Sequence, residues 1–348
     1  MLVQIVLFDG FDLLDAIAPF EVFCAAETYS GGAIRAELVS AEGERLVPSG
    51  TNGVPICASG GIDSERAKII LVPGASGVVA GDGPDSVPFL LQKASETTLI
   101  QRVGEAFGKP DVIVATVCGG SLLLAMGGLL EGRYAVTHHL GMEVLGATGA
   151  VPVAARVVED GNFISGGGVT SGLDVALYLV ERELGPQISH AVEKLFEYER
   201  RGTVWQRRGI VPVPEGPQFS GETELSSASE RLIQAPSATG NYAGVHTHES
   251  VFQGVWEVTI STPIGKMLVT LNISAFNGTI SGTAKQGQET SHFIDPVVNG
   301  GILSWSQRIT KPMHLNLKFE VSVEGNRMNG TAKAGLLPAS KLMGERIS

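Results

Sequence analysis

The run Val112-Ile113-Val114-Ala115-Thr116-Val117 leads straight into Cys118-Gly119-Gly120-Ser121, and then into Leu122-Leu123-Leu124-Ala125. So apolar a run predicts an inner strand of a parallel sheet, and the segment after the glycines predicts a helix packed on that sheet. Only a sharp turn separates the two, and paired glycines supply the backbone freedom it needs. A side chain at this corner projects above the carboxyl edge of the sheet, where open α/β folds keep their active sites. The amides that open the helix then lie beside the sulfur, which predicts a thiolate favoured over the thiol. This is a nucleophile elbow with sulfur in place of a serine hydroxyl. The competing reading is a buried cysteine acting as a small hydrophobe. The strand, turn and helix around Cys118 favour the nucleophile.

The surrounding text has two grammars. Over residues 1–208, Val/Ile-rich runs at 3–8, 34–40, 69–73, 112–117 and 153–159 alternate with helical stretches at 14–29, 89–107, 122–126, 140–145, 172–184 and 187–198. Such alternation predicts a doubly wound parallel sheet covered on both faces. Residues 209–250 carry prolines, then a Ser/Glu/Ala stretch with weak periodicity, and read as a linker with one short helix near 226–233. Residues 251–348 switch to alternating runs cut by glycine turns such as Phe276-Asn277-Gly278 and Glu324-Gly325-Asn326. About eight short strands in this spacing predict a small antiparallel barrel or sandwich, with Trp256 and Trp305 in its core. The segments 278–285 and 326–333 echo one another and suggest one hairpin pattern used twice.

A length of 348 residues is comfortable for two domains, and a net charge of −11 argues against nucleic acid or an anionic membrane surface as partner. No apolar run approaches a membrane span, and the N-terminus has no basic region before its first acids, so neither an anchor nor a signal peptide is expected. Three cysteines, an odd and small number, fit a reducing cytoplasm.

A cysteine nucleophile needs a group to manage protons and amides to hold developing negative charge. Asp15 follows the first strand where a helix begins, and a helix cap is its alternative role. Glu21 reads as a solvent-facing helix residue. The turn Pro73-Gly74-Ala75-Ser76-Gly77 follows a strand, and its amides, those of Gly74 and Ala75 included, could stabilise an oxyanion. No lysine follows as in a phosphate-binding loop. His138-His139 invites a metal reading, but neighbouring residues do not converge and no ligand stands at a zinc-like spacing, so no metal is expected. His246-Thr247-His248-Glu249 is left unassigned.

These residues resemble those of the DJ-1/PfpI superfamily, and among its branches the isonitrile hydratases and the sensing domains of related AraC-type regulators. The resemblance rests on Leu14-Asp15-x-x-x-Pro19-x-Glu21-Val22-Phe23, on Val72-Pro73-Gly74, and on Val117-Cys118-Gly119-Gly120-Ser121-Leu122. It extends through Gly127-x-Leu129-Leu130-x-Gly132-Arg133-x-Ala135-x-Thr137-His138, and Asp160-Gly161-Asn162 with Gly166-Gly167-Gly168-Val169-Thr170-Ser171-Gly172-x-Asp174. It implies a flavodoxin-like sandwich for residues 1–208, no cofactor, and a homodimer acting on a small molecule. It also implies Cys118 as nucleophile and Asp15 as the acid. Gly74, Ala75 and Gly119 would anchor an oxyanion or substrate, with His138, Gly168 and Thr170 nearby. Isonitrile hydratases carry a threonine after the cysteine, where this chain has Gly119, and the stretch from Val78 to Glu96 could form an altered lid. No helix-turn-helix pair follows residue 205, which weighs against transcription control. The expected chemistry is a cysteine-dependent hydratase adding water to a small C–N substrate, isocyanide to N-substituted formamide, through a thioimidate. The alternatives are amide hydrolysis, glyoxalase-like chemistry, or a ligand- or redox-sensing module without turnover.

Overall fold

The computed structural model describes residues 1–79, 83–211, 250–262, 265–276, 279–309, 314–335 and 339–348. The expected helix near 226–233, most of the linker, His246 to Glu249, Gly81 and Asp82 of the expected lid, and Asn277-Gly278 lie outside the described residues.

The first half holds β1 (Leu2–Leu7), β2 (Arg35–Ser40), a hairpin of β3 (Arg45–Pro48) and β4 (Pro55–Ala58), β5 (Ala67–Val72) and β6 (Ile113–Val117). A small pair of β7 (Tyr134–Ala135) and β8 (Val151–Pro152) precedes β9 (Val157–Asp160), β10 (Phe163–Gly166) and β11 (Trp205–Gln206). Its helices are α1 (Leu13–Tyr29), α2 (Val87–Ser95), α3 (Leu99–Phe107), α4 (Gly120–Met126), α5 (Met142–Ala147), α6 (Ser171–Leu184) and α7 (Pro186–Phe196). The main sheet has the order β11-β9-β10-β6-β5-β1-β2. From β10 to β2 the strands run parallel, and β9 pairs antiparallel with β10. Every residue of β6 is buried, as a strand covered on both faces requires.

Two expectations need correction. The strand placed at 153–159 begins only at Val157, and its central neighbour β10 is a strand that the pattern does not predict. The Phe163-Ile164-Ser165-Gly166 text is four residues long and half polar, too short for periodicity to register. The helix placed at 89–107 is two helices. Thr97 Oγ1 donates to Ala94 O at 2.8 Å and accepts from Leu99 N at 3.2 Å, so one hydroxyl ends α2 and opens α3.

The second half is one antiparallel sheet: β12 (Gly254–Thr262), β13 (Gly265–Phe276), β14 (Thr279–Gln286), β15 (Glu289–His292), β16 (Ile294–Asn299), β17 (Ile302–Ile309), β18 (Leu315–Glu324), β19 (Arg327–Ala334) and β20 (Ser340–Arg346). Its order is β15-β14-β13-β12-β20-β19-β18-β17-β16. The sheet curls until its ends nearly meet, where Gln307 Nε2 of β17 donates to Ser291 Oγ of β15 at 2.5 Å. The described residues thus form a nearly closed barrel of nine strands where about eight were expected. Trp256 and Trp305 are buried in its core as anticipated, with Trp305 stacked between Phe293 and Phe319 at centroid distances of 4.3 and 4.7 Å. The two echoing segments fall on β14 and β19. In each, the glycine admits a close neighbour: a Cβ on Gly282 would strike the Phe293 ring, and one on Gly330 would strike Glu320 O.

The two halves touch beyond the carboxyl end of α4. His314 N donates to Met126 O at 3.2 Å, Arg308 pairs with Glu131 at 2.7 Å, and Leu315 packs against the core of the first half. These contacts lie at the far end of α4 from Cys118.

The elbow itself depends on close packing. A Cβ on Gly120 would overlap the carbonyl oxygen of Val72, which belongs to the neighbouring strand and cannot give way. Gly120→Ala is therefore expected to lower the unfolding free energy by about 1–3 kcal/mol through overpacking, measured by urea denaturation. Gly132→Ala, where nothing lies within 4 Å but φ is +72°, serves as a control for backbone strain alone.

Candidate active site

The carboxylate arrives on α1. Asp12 caps that helix, its Oδ1 accepting from Leu14 N at 2.9 Å and Asp15 N at 3.2 Å. The cap is thus Asp12, and Asp15 is left free to turn inward, where it is 0% exposed. Glu21, on the outer face, is exposed as expected. Asp15 Oδ2 accepts from Gly74 N–H at 2.9 Å, whereas among the described residues its buried Oδ1 has no hydrogen-bond partner. A carboxylate cannot be left so poorly solvated without cost.

The sulfur arrives on the β6–α4 turn. Cys118 has φ +54°, a left-handed conformation that costs a non-glycine residue about 1–3 kcal/mol and persists only where its surroundings over-determine it. Here they do. Cys118 N donates to Gly166 O at 3.1 Å, Thr137 Oγ1 donates to Cys118 O at 2.7 Å, and the Thr116 and Ser121 hydroxyls join strand to helix at 2.6 Å. Gly74 fits only because it lacks a side chain: a Cβ there would lie 2.5 Å from Gly119 N and 2.9 Å from Asp15 Oδ2. Three chain segments are thereby pressed together around one carboxyl and one thiol.

The electrostatics differ from the expected thiolate. Burial is the largest influence on both groups and pushes both upward; repulsion from Asp12 adds to this at Asp15, repulsion from Asp15 adds to it at Cys118, and the Gly74 amide and the Cys118 side chain act on Asp15 in the opposite direction. The Gly119 N–H does favour the sulfur anion, as anticipated, but α4 is only 7 residues long and its amides are outweighed. The two groups titrate as a pair, and their mutual repulsion opposes a second negative charge. An unpartnered carboxyl oxygen beside a thiol allows one proton to be held between them.

The expected anion-holding amides divide. Gly74 N–H is committed to Asp15, so its expected role at an oxyanion is corrected: it orients the acid. Gly119 N–H points at the sulfur, and among the described residues Ala75 N–H has no hydrogen-bond partner. His138 is half-buried, and its Nδ1 accepts from Leu140 N at 3.4 Å, which leaves the proton of the neutral ring on Nε2. Burial and then His139 hold its pKa below the ordinary value. A Cβ on Gly168 would stand 3.7 Å from His138 Cδ2, so the histidine borders the β10–α6 loop. Thr170 is exposed on that loop, with its hydroxyl accepting from Arg156 at 3.0 Å.

Three contributors had no assigned role in the sequence reading. Thr137 holds the elbow carbonyl; its place beside the histidine pair was the available signal. Asp174, 0% exposed, receives Arg156 Nε at 2.6 Å, Tyr198 OH and Arg201 N, and so braces the Gly168 loop. Leu91 of α2 roofs the turn: a Cβ on Gly119 would meet its Cδ1 at 3.3 Å. Within the expected lid this helix is the part that covers the turn, and a threonine after the cysteine would crowd Leu91.

Residues 1–182 match the DJ-1/PfpI family model, and the chain belongs to that family. It is 33% identical over 195 residues to an isonitrile hydratase from Pseudomonas putida, covering 55% of this chain and 76% of that protein. It is 29% identical over 199 residues to the HTH-type transcriptional regulator GbdR of Pseudomonas aeruginosa, covering 56% of this chain and 50% of the regulator, so the match spans half the regulator's length. Among solved structures, Drosophila melanogaster DJ-1beta aligns with 57% of this chain and 98% of its own, at 17% identity and a TM-score of 0.48. Among the described residues, no helix is long and apolar enough to cross a membrane.

The raised carboxyl makes stability depend on pH in a defined direction. The folded state keeps a proton on Asp15 that the unfolded chain gives up near the ordinary carboxylate value, so stability falls as pH rises from there through the folded value. Thermal unfolding of Asp15→Asn should lack that component and melt higher than the parent above this window. Parallel pH profiles for parent and variant would overturn the assignment.

Proposed function

We propose that this chain is a cysteine-dependent hydratase that adds water to a small C–N substrate, with an isocyanide as its most direct candidate. The observation that carries the reading is the strained Cys118 beside the fully buried, half-partnered Asp15, and the reading assigns one proton to the pair. The identity to an isonitrile hydratase supports the substrate class.

In the reactive arrangement the proton sits on Asp15 and the charge on sulfur. Sulfur forms a bond to the terminal carbon of the isocyanide while Asp15 gives its proton to that carbon, leaving a thioimidate and a carboxylate. Asp15 then takes a proton from water as the oxygen attacks the same carbon. That proton passes to the nitrogen, the new hydroxyl gives its remaining proton back to Asp15 as the C–S bond breaks with its electron pair going to sulfur, and an N-substituted formamide leaves. The thiol–carboxyl pair is back to one proton. Negative charge that develops at the former isocyanide carbon's substituents would face the Ala75 and Gly119 amides, which suits preorganised donors. Leu91 would limit the space above the sulfur to a slender substrate and help exclude bulk water.

A second reading keeps the pocket and drops turnover. It draws on the regulator similarity, which spans the same family region, and makes the domain a small-molecule sensor.

Loss of isocyanide absorbance with formamide appearing in equal amount separates the two. Cys118→Ala should abolish turnover, and Asp15→Asn should reduce kcat by about 10²–10⁴-fold, the usual range for a lost general acid. The parent pH–rate profile should show an acid limb from the first ionisation of the pair, absent in Asp15→Asn. No turnover of any isocyanide, together with saturable binding, would establish the sensor instead. Full activity of Cys118→Ala would end the covalent route.

A further inference from the structure

The barrel contains a cavity of about 220 Å³. Interiors of folded domains rarely leave voids much larger than a water molecule, so a space of this size needs an explanation. Its origin is visible in the side chains. At one end the interior is filled by the Phe293–Trp305–Phe319 stack. Toward the other end, β14 and β15 line the space with Ala284, Gln286, Glu289, Thr290 and Ser291, and the neighbouring strands add Ile260, Leu271 and Leu342. The short side chains of Ala284 and Ser291 leave the space between these aliphatic groups unfilled by the described residues.

The cavity also has a door. Thr290 and Arg308 are exposed, yet they border the same space. They flank the seam of the barrel. Among the described residues, β16 pairs with β17 only as far as Ser306, so Gln307 to Ile309 have no strand neighbour on that side, and β15 pairs only with β14. The side-chain bridge from Gln307 to Ser291 spans the seam. Outside it lies a groove between the barrel and α5, bordered by Gly146, Ala147 and the same Arg308.

We infer that the barrel interior is a second small-molecule site, separate from Cys118, that takes a neutral and mainly apolar molecule with one hydrogen-bonding end. Size sets the scale: an apolar cavity of about 150 Å³ suffices for benzene, so this one suits a singly substituted benzene or an alkyl chain of similar bulk. The polar end is set by Gln307, which is buried. Its Oε1 accepts from Trp305 Nε1 at 3.2 Å while its amide donates to Ser291 Oγ. Ser291 therefore keeps its own hydroxyl proton to donate to an acceptor on the ligand. A carboxylate is disfavoured, because Glu289 borders the space and Arg308 is already paired with Glu131. Closed barrels of about this strand number commonly either fill their interior with side chains or hold one small molecule.

Calorimetric titration of the full chain with benzyl alcohol, toluene and benzoate tests this. Expected are one saturable site for benzyl alcohol and for toluene and none for benzoate, unchanged in Cys118→Ala. Ala284→Leu and Leu271→Phe, two ways of filling the space, should each weaken both ligands at least about tenfold while the melting temperature holds or rises. Ser291→Ala should weaken benzyl alcohol about fivefold, as loss of one hydrogen bond does, and leave toluene as it was. Absence of saturable binding would overturn the site, as would equal binding in both folded filling variants. Loss of binding in Cys118→Ala would move it to the first domain, and preference for benzoate would overturn the neutral class.

Discussion

Everything at the candidate active site depends on backbone meeting backbone without side chains between. Gly74 lies against Gly119, and Gly120 against the Val72 carbonyl, so the ends of β5 and β6 and the start of α4 occupy a space that a single Cβ would split. That contact forces Cys118 into a left-handed conformation and brings the Gly74 amide within reach of Asp15. The strain at the cysteine is balanced by bonds from Thr137 and to Gly166, so the sulfur stays at the rim of the sheet instead of relaxing into the core.

The chemistry then follows from how little water reaches the pair. Two acids buried side by side each resist ionisation, and the Gly119 amide is too small a counterweight to leave both without protons. A thiol in such a place is unreactive by itself. In the proposed mechanism the pair shares one proton: the carboxyl carries it while the sulfur carries the charge, and the same burial that opposes ionisation leaves the anion poorly solvated and nucleophilic. Burial would then hold the proton ready and admit only the water that the proposed reaction uses.

The barrel obeys other rules. Its alternating strands place one face inward, and its aromatic stack fills one end while a cavity remains toward the other. It meets the first half at the carboxyl end of α4, whereas Cys118 stands just before the start of that helix.

Local sequence carried much of this. An apolar strand followed by Cys-Gly-Gly and a leucine-rich helix specifies an elbow, because only glycine tolerates such an approach, and the motifs spaced along residues 1–182 specify the family. Alternation cut by glycine turns specifies an antiparallel β half, with Trp256 and Trp305 inside. Short or mixed elements escaped: β10 is four residues with too little pattern, and the hydroxyl of Thr97 splits what reads as one helix. The state of the thiol escaped too, because neighbouring amides can be read from sequence order while desolvation and the Asp15 charge come from residues 103 positions apart in the chain, brought together only by the folded sheet. The commitment of Gly74 to the acid, the roof of Leu91 and the unfilled barrel interior have the same origin. Chain order determines what a residue can do locally; packing of distant segments decides which groups lose water, and hence which carry a charge.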